Sequence, residues 1–231
     1  MPNIWLFGDS FSTQEMPPTK ENPSGKPTHP SWLEYVSQGL GITEGNVHAD
    51  YGVSNDWIFD QFKENINLME PGDYVIVQTT QKHRQWFFDD PSLSNYWIKD
   101  MERHLSAEQL NAVKQYVTYL QKDKVDDLRY IQFCMALERI SQLAKHLRIL
   151  VLPGFFSVHG IKGTLISICD NEFSSDPDKV THLYDRNDGM DPRLNHMSAP
   201  NHKILGNKII EFFKNGTMID LESDFEQGIL K

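Results

Sequence analysis

Gly8-Asp9-Ser10-Phe11-Ser12 follows directly on the apolar run Ile4-Trp5-Leu6-Phe7. This pattern predicts a short buried strand that runs into a glycine turn and presents a serine at its carboxyl end. A serine hydroxyl becomes a nucleophile when a base takes its proton, and the base needs an acid to orient it. Both residue types occur together in Asp191-Pro192-Arg193-Leu194-Asn195-His196. The resulting order is nucleophile, acid, base, with acid and base close in sequence. It suits acyl transfer through a covalent serine intermediate, with Ser10 attacking, His196 moving the proton and Asp191 holding the imidazole. Asp188 is the second candidate for the acid. His202 competes with His196 as the base, but its place inside an apolar helical pattern favours a packing role.

Other candidates are groups that could hold a developing negative charge. The Ser10 backbone N–H is one. Gly52, in Tyr51-Gly52-Val53-Ser54-Asn55-Asp56, could bring a bare backbone N–H to the same oxygen. Asn55 reads as a helix N-cap, with Asp56 in the first turn, and is a secondary candidate for contact with substrate. Thr80 and Arg84 follow the strongest strand pattern in the chain. Thr80 can donate one hydroxyl hydrogen bond, and Arg84 can hold an anionic or carbonyl group. Removing one oxyanion donor typically costs about 10²–10³ in turnover.

These residues need a frame. Residues 3–7, 46–49, 74–77 and 147–152 read as strands, and Leu165 to Cys169 as a further short one. Ser31 opens a helix with a capping-box pattern, Glu34 lying three residues on, and the helix ends near Gly39 or Gly41. A second helix is expected from about Asp56 to Met69, with Ile58, Phe59, Phe62, Ile66 and Leu68 on its apolar face. Two more span Ser106 to about Leu120 and Asp126 to His146, and a last one follows Ser198. Between them, residues 13–31 form a proline-rich loop and 171–191 a polar one. Trp86, Phe87, Phe88, Tyr96 and Trp97 make an aromatic stretch that either covers the core or lines a cleft. Strands alternating with helices predict a mostly parallel sheet with helices on both faces. Sites in such sheets lie beyond the carboxyl ends of the strands, where Ser10, Gly52 and Thr80 all fall.

Composition narrows the function. The chain has 231 residues, a net charge of −10 and 39% hydrophobic residues. The acidic balance argues against nucleic acid and anionic membrane surfaces as partners. No cysteine–histidine spacing suits zinc, and no cofactor motif is present, so no metal or cofactor is expected. The two cysteines, Cys134 and Cys169, lie in apolar runs and read as reduced thiols. No signal peptide and no membrane-spanning run is visible, so a cytoplasmic protein is expected. With no break in composition, one domain is expected over 1–231, carrying a helical and aromatic insertion around 86–125.

Three blocks resemble the SGNH (GDSL-type) hydrolase superfamily. They are Gly8-Asp9-Ser10-Phe11-Ser12, then Gly52-Val53-Ser54-Asn55-Asp56, then Asp191 to His196 leading to Ser198 and the final helix. Trp32-Leu33-Glu34-Tyr35-Val36 resembles the helix after the first block. The resemblance implies a flavodoxin-like three-layer α/β/α sandwich and metal-free hydrolysis of a small-molecule or carbohydrate ester through an acyl-serine. It points to Gly52 as an oxyanion donor. Two departures stand out. The third block's Gly-x-Asn-Asp is replaced by Gln78-Thr79-Thr80-Gln81, with Thr80 as the stand-in, and Arg193 occupies the usual position of the acid. The departures keep two alternatives open: a binding protein of the same fold with little or no catalysis, and an O-acyltransferase. Substrate and oligomeric state are not legible in the sequence.

Overall fold

In the computed structural model of the chain, residues 2–13, 29–43, 45–87, 105–169 and 197–226 are described. They fall into two compact units. One runs through Pro2–Ser12 and Asn46–Val151, the other through Thr13–Gly45 and Leu152–Lys231.

The first unit carries the sheet. Its strands are β1 (Ile4–Gly8), β2 (Gly45–Ala49), β3 (Tyr74–Gln78) and β4 (Arg148–Leu152). They form a parallel sheet in the order β2-β1-β3-β4. This is the α/β class expected, with the strand order of flavodoxin-like sheets. Ile4 pairs with Tyr74 and Phe7 with Val77. Asp73 fixes that register at the amino ends of the strands. Its carboxylate accepts from the Asn3 N–H at 2.7 Å and from the Trp5 indole at 2.9 Å.

Helix α2 (Asn55–Asn65) covers one face of the sheet, and α4 (Asp123–Leu143) packs beside it. Alternation along the strands puts Trp5, Phe7, Val75 and Val77 on this face. There they meet Trp57, Ile58 and Phe62 of α2 and Phe133 and Leu137 of α4. Ile4, Leu6 and Ile76 point the other way and are also fully buried. Between β3 and α4 lies α3 (Ala107–Gln115), which continues as a wider helical turn over Tyr116–Leu120.

In the second unit, α1 (Trp32–Leu40) packs on α5 (Ala199–Asn215). Ser31 and Glu34 form the expected capping box, and α1 ends on a left-handed Gly41. Ser198 caps α5 by accepting from the Asn201 N–H. The helices approach closely at Gly206, where a Cβ would lie 3.0 Å from the Trp32 carbonyl oxygen. No helix among the described residues is long and apolar enough to cross a membrane.

Three expectations are corrected. The cap of α2 is Ser54, whose hydroxyl accepts from the Trp57 N–H at 3.2 Å. Asn55 is the first helical residue, its side chain bonding instead to Thr80 in the loop after β3. The same helix stops at Asn65 and tightens into a single turn over Ile66–Leu68, which leaves Leu68 64% exposed rather than on the apolar face. Leu165–Ile168 is a tight helical turn, not a strand. Ser167 donates to the Thr164 carbonyl at 2.6 Å and closes the turn locally. A short apolar run does not by itself separate these two outcomes.

Candidate active site

β1 ends at Gly8, and residues 9–12 form a hydrogen-bonded turn, the Ser12 N–H donating to the Asp9 carbonyl at 2.8 Å. Within that turn Asp9, Phe11 and Ser12 are buried, and Ser10 alone is half-exposed. The serine is thus presented at the carboxyl end of a central parallel strand. Gly8 is required by crowding. A Cβ there would lie 2.5 Å from Ser12 Oγ and 2.6 Å from Gln78 Oε1. Gln78, the last residue of β3, accepts from the Asp9 N–H at 3.0 Å and the Ser12 hydroxyl at 2.8 Å.

Asp9 is the hub. Its side chain is fully buried. Oδ1 accepts from the Phe11 N–H at 3.1 Å, and Oδ2 accepts from the Thr80 hydroxyl at 2.5 Å and from Arg84 Nη1 at 3.0 Å. Buried charge is tolerated only when paired and hydrogen-bonded, and here it is both. Thr80 and Arg84, read from sequence as groups facing a substrate, converge instead on Asp9. Arg84 Nη1 also donates to the Val53 carbonyl at 3.4 Å.

Asn55 joins the same frame. Its carboxamide donates to the Thr80 carbonyl at 3.2 Å and accepts from the Thr80 N–H at 2.8 Å. This two-bond pair ties the start of α2 to the loop after β3. Three residues earlier, Gly52 is buried with φ of +68°, a conformation glycine adopts at little cost. Ser10, Gly52, Asn55, Thr80 and Arg84 therefore all belong to the first compact unit. Asp188, Asp191 and His196 lie outside the described residues. His202 is buried, and its Nδ1 accepts from the Trp32 N–H at 3.1 Å, so this histidine serves α1 and α5.

The loop after β3 is also gripped from its far side by α4. Asp126 is buried and accepts from Gln85 Nε2 at 3.1 Å and from Gln121 Nε2 at 3.2 Å, with His83 Nδ1 3.2 Å away. Lys82 pairs with Asp127, and Arg129 donates to Gln85. His83, Asp123 and Asp126 are the one set among the described residues whose ligand atoms lie close enough to share a metal ion. The amide donors on Asp126 already account for its burial without one.

Sequence reasoning missed Asp9, Gln78 and Asp126 as parts of this frame. The signal for Asp9 was its place beside the serine. Nothing local marked the other two. Of the aromatic stretch, Trp86 packs against the sheet core and Phe87 against Val113 and, edge-on, Tyr116. Phe88, Tyr96 and Trp97 lie outside the described residues. Cys134 and Cys169 are both thiols, one half-buried and one buried. Burial holds the Cys134 thiol above its ordinary range, and Cys169 donates to the Leu165 carbonyl.

No family model and no curated protein matches the chain. Among solved structures it is similar to a protein assigned to the G-D-S-L family of lipolytic proteins from Desulfitobacterium hafniense DCB-2. That match has 13% identity and a TM-score of 0.36, and covers 91% of this chain and 99% of the other. It is also similar to a carbohydrate esterase family 2 enzyme with its carbohydrate-binding domain from Corynascus thermopiles (Myceliophthora fergusii). There the identity is 12%, the TM-score 0.38 and the coverage 92% of this chain and 65% of that one. At this similarity neither activity nor substrate transfers.

Proposed function

We propose that this protein is a serine ester hydrolase with Ser10 as nucleophile. One observation carries the reading: in the turn of residues 9–12 at the carboxyl end of β1, Ser10 is the only residue that is not buried. Sites of open parallel sheets lie at that end. Ser10 Oγ attacks the ester carbonyl carbon and passes its proton to His196. The N–H groups of Ser10 and Gly52 receive the oxyanion. His196 returns the proton to the leaving alcohol, and water repeats the sequence to release the acid. Asp191, or Asp188 in its place, orients the imidazole. Thr80, Arg84 and Asn55 hold the frame: Thr80 and Arg84 through Asp9, and Asn55 through the Thr80 backbone. The substrate proposed is a small acyl ester, an O-acetyl group on a carbohydrate being the leading case. The one-domain organisation and a cytoplasmic location belong to the same proposal.

A second reading, a protein of this fold that binds without turning over, is favoured by the engagement of the Thr80 hydroxyl with Asp9. It commits to Asp9 the hydroxyl expected to stand in for the third block's usual donor.

A fluorophosphonate probe followed by peptide mass spectrometry separates the two. Label on Ser10 that is absent in Ser10→Ala and suppressed in His196→Ala supports the hydrolase. No label on a folded sample overturns it in favour of the binding protein.

A further inference from the structure

Arg84 sits between two residues that face the opposite way. Its guanidinium reaches Asp9 at 3.0 Å. Its neighbours His83 and Gln85 both reach Asp126, at 3.2 Å and 3.1 Å. Gln121 closes the arrangement by donating to the His83 carbonyl at 2.7 Å and to Asp126 at 3.2 Å. The segment 83–85 therefore bridges a buried carboxylate on α4 and the buried carboxylate that organises the serine turn. On the turn side, Asp9 takes the Phe11 N–H at 3.1 Å on its side chain and the Ser12 N–H at 2.8 Å on its carbonyl. Every link is a hydrogen bond or ion pair between named atoms, and the chain stays within one compact unit.

We infer that Asp126 is a positioning residue for the serine turn and acts through the His83-Arg84-Gln85 segment and Asp9. This rests on the reading of Ser10 as nucleophile for its catalytic consequence, though not for the coupling itself. The physical reason lies in what Asp126 satisfies. A buried carboxylate accepting two carboxamides beside an imidazole leaves those side chains one arrangement. Replacing it with a group of smaller acceptor capacity loosens the hold on both sides of Arg84. A displacement of about 1 Å at a reacting group costs on the order of 10²-fold in rate, so a smaller shift relayed through two residues should cost about tenfold. Coupling of this kind is demonstrated only when both ends are seen to respond.

The test compares wild type with Asp126→Asn, which keeps the shape and loses acceptor capacity. Gln85→Leu and Gln121→Ala cut the same grip from the partner side and keep the test open should Asp126→Asn fail to fold. Two quantities are read. One is amide hydrogen exchange in the peptide covering residues 8–13. The other is labelling of Ser10 by the fluorophosphonate, resolved into its maximal rate and its half-saturating concentration. In folded variants, exchange in 8–13 should rise about tenfold as the turn opens locally. The maximal labelling rate should fall about tenfold at unchanged half-saturation, because the nucleophile rather than the probe site is displaced. Unchanged exchange at 8–13 in folded variants overturns the inference. Faster exchange with a wild type that never labels upholds the coupling and removes the hydrolase reading instead.

Discussion

Arg84 Nη1 lies 3.0 Å from Asp9 Oδ2, and the ion pair they form is buried from both sides. It stands one residue before the proposed nucleophile, so its removal should be felt in stability and in chemistry together. Taking away one member strands the other charge, at a cost of about 3–5 kcal/mol. Asp9→Asn and Arg84→Met should each lower the unfolding free energy by an amount of that order, and the urea midpoint with it. The double variant should be more stable than the two losses summed, by a coupling of about 0.5–3 kcal/mol. Equilibrium unfolding of the four proteins checks this, and simple additivity would mean that the two groups do not act as a pair.

Thr80 allows two assignments of one hydroxyl to be told apart. It donates to Asp9 Oδ2 at 2.5 Å. Thr80→Val keeps the shape, removes the donor and leaves a buried carboxylate short of one partner, at about 1–3 kcal/mol. Unfolding midpoint and Ser10 labelling should therefore fall together in Thr80→Val, and Thr80→Ser should restore both. A slower reaction at unchanged stability would instead assign the hydroxyl to substrate.

What was legible in the sequence was local, and what was not was tertiary. The Ser31–Glu34 capping box, the Tyr74–Val77 strand and the serine turn each depend on residues a few positions apart. All three are found where the pattern placed them. Ser54 and Asn55 are both good cap types, and the choice between them is made by Thr80, 25 residues away in sequence. Asp9 and Arg84 are separated by 75 positions, and nothing in either neighbourhood announces the pairing. Arg84 was legible as a polar residue near the site, but its direction was not. Gln78 reads as a departure from the third block, yet its carboxamide oxygen holds both the Asp9 N–H and the Ser12 hydroxyl. That role depends on β1 and β3 being neighbours, which is a property of the sheet.

Gly8 is constrained by volume. A Cβ would lie 2.5 Å from Ser12 Oγ and 2.6 Å from Gln78 Oε1, and those two atoms are themselves bonded at 2.8 Å. Ser12 Cβ would lie close as well, at 2.9 Å, so turning the hydroxyl alone does not relieve the clash. Gly8→Ala should cost about 1–3 kcal/mol as a small-to-large change in a packed site. It should also slow labelling of Ser10, since the strain falls on the turn. Thermal unfolding and labelling rate check both, and a variant indistinguishable from wild type would show that the turn has room the geometry denies it.

His48, on β2, gives the first unit a stability that depends on pH. Its ring lies nearly parallel to Phe7 with centroids 5.1 Å apart, and to Trp5 at 6.1 Å. Burial against these rings disfavours the charged imidazole and pulls its pKa below the ordinary value of 6.5. Above that value the ring is neutral in both folded and unfolded chains and contributes no pH dependence. As pH falls through 6.5 the unfolded chain takes up the proton first. The folded state must do without it until its own lower pKa is reached, so stability falls with falling pH. The chain has nine histidines, and a scan of wild type alone would mix their contributions. The discriminating variant is His48→Phe, which keeps an aromatic ring in the stack and removes the titration. Its melting temperature should drop less than that of wild type between pH 7.5 and pH 5.5. Parallel curves for the two proteins would mean that His48 titrates alike in the folded and unfolded chain.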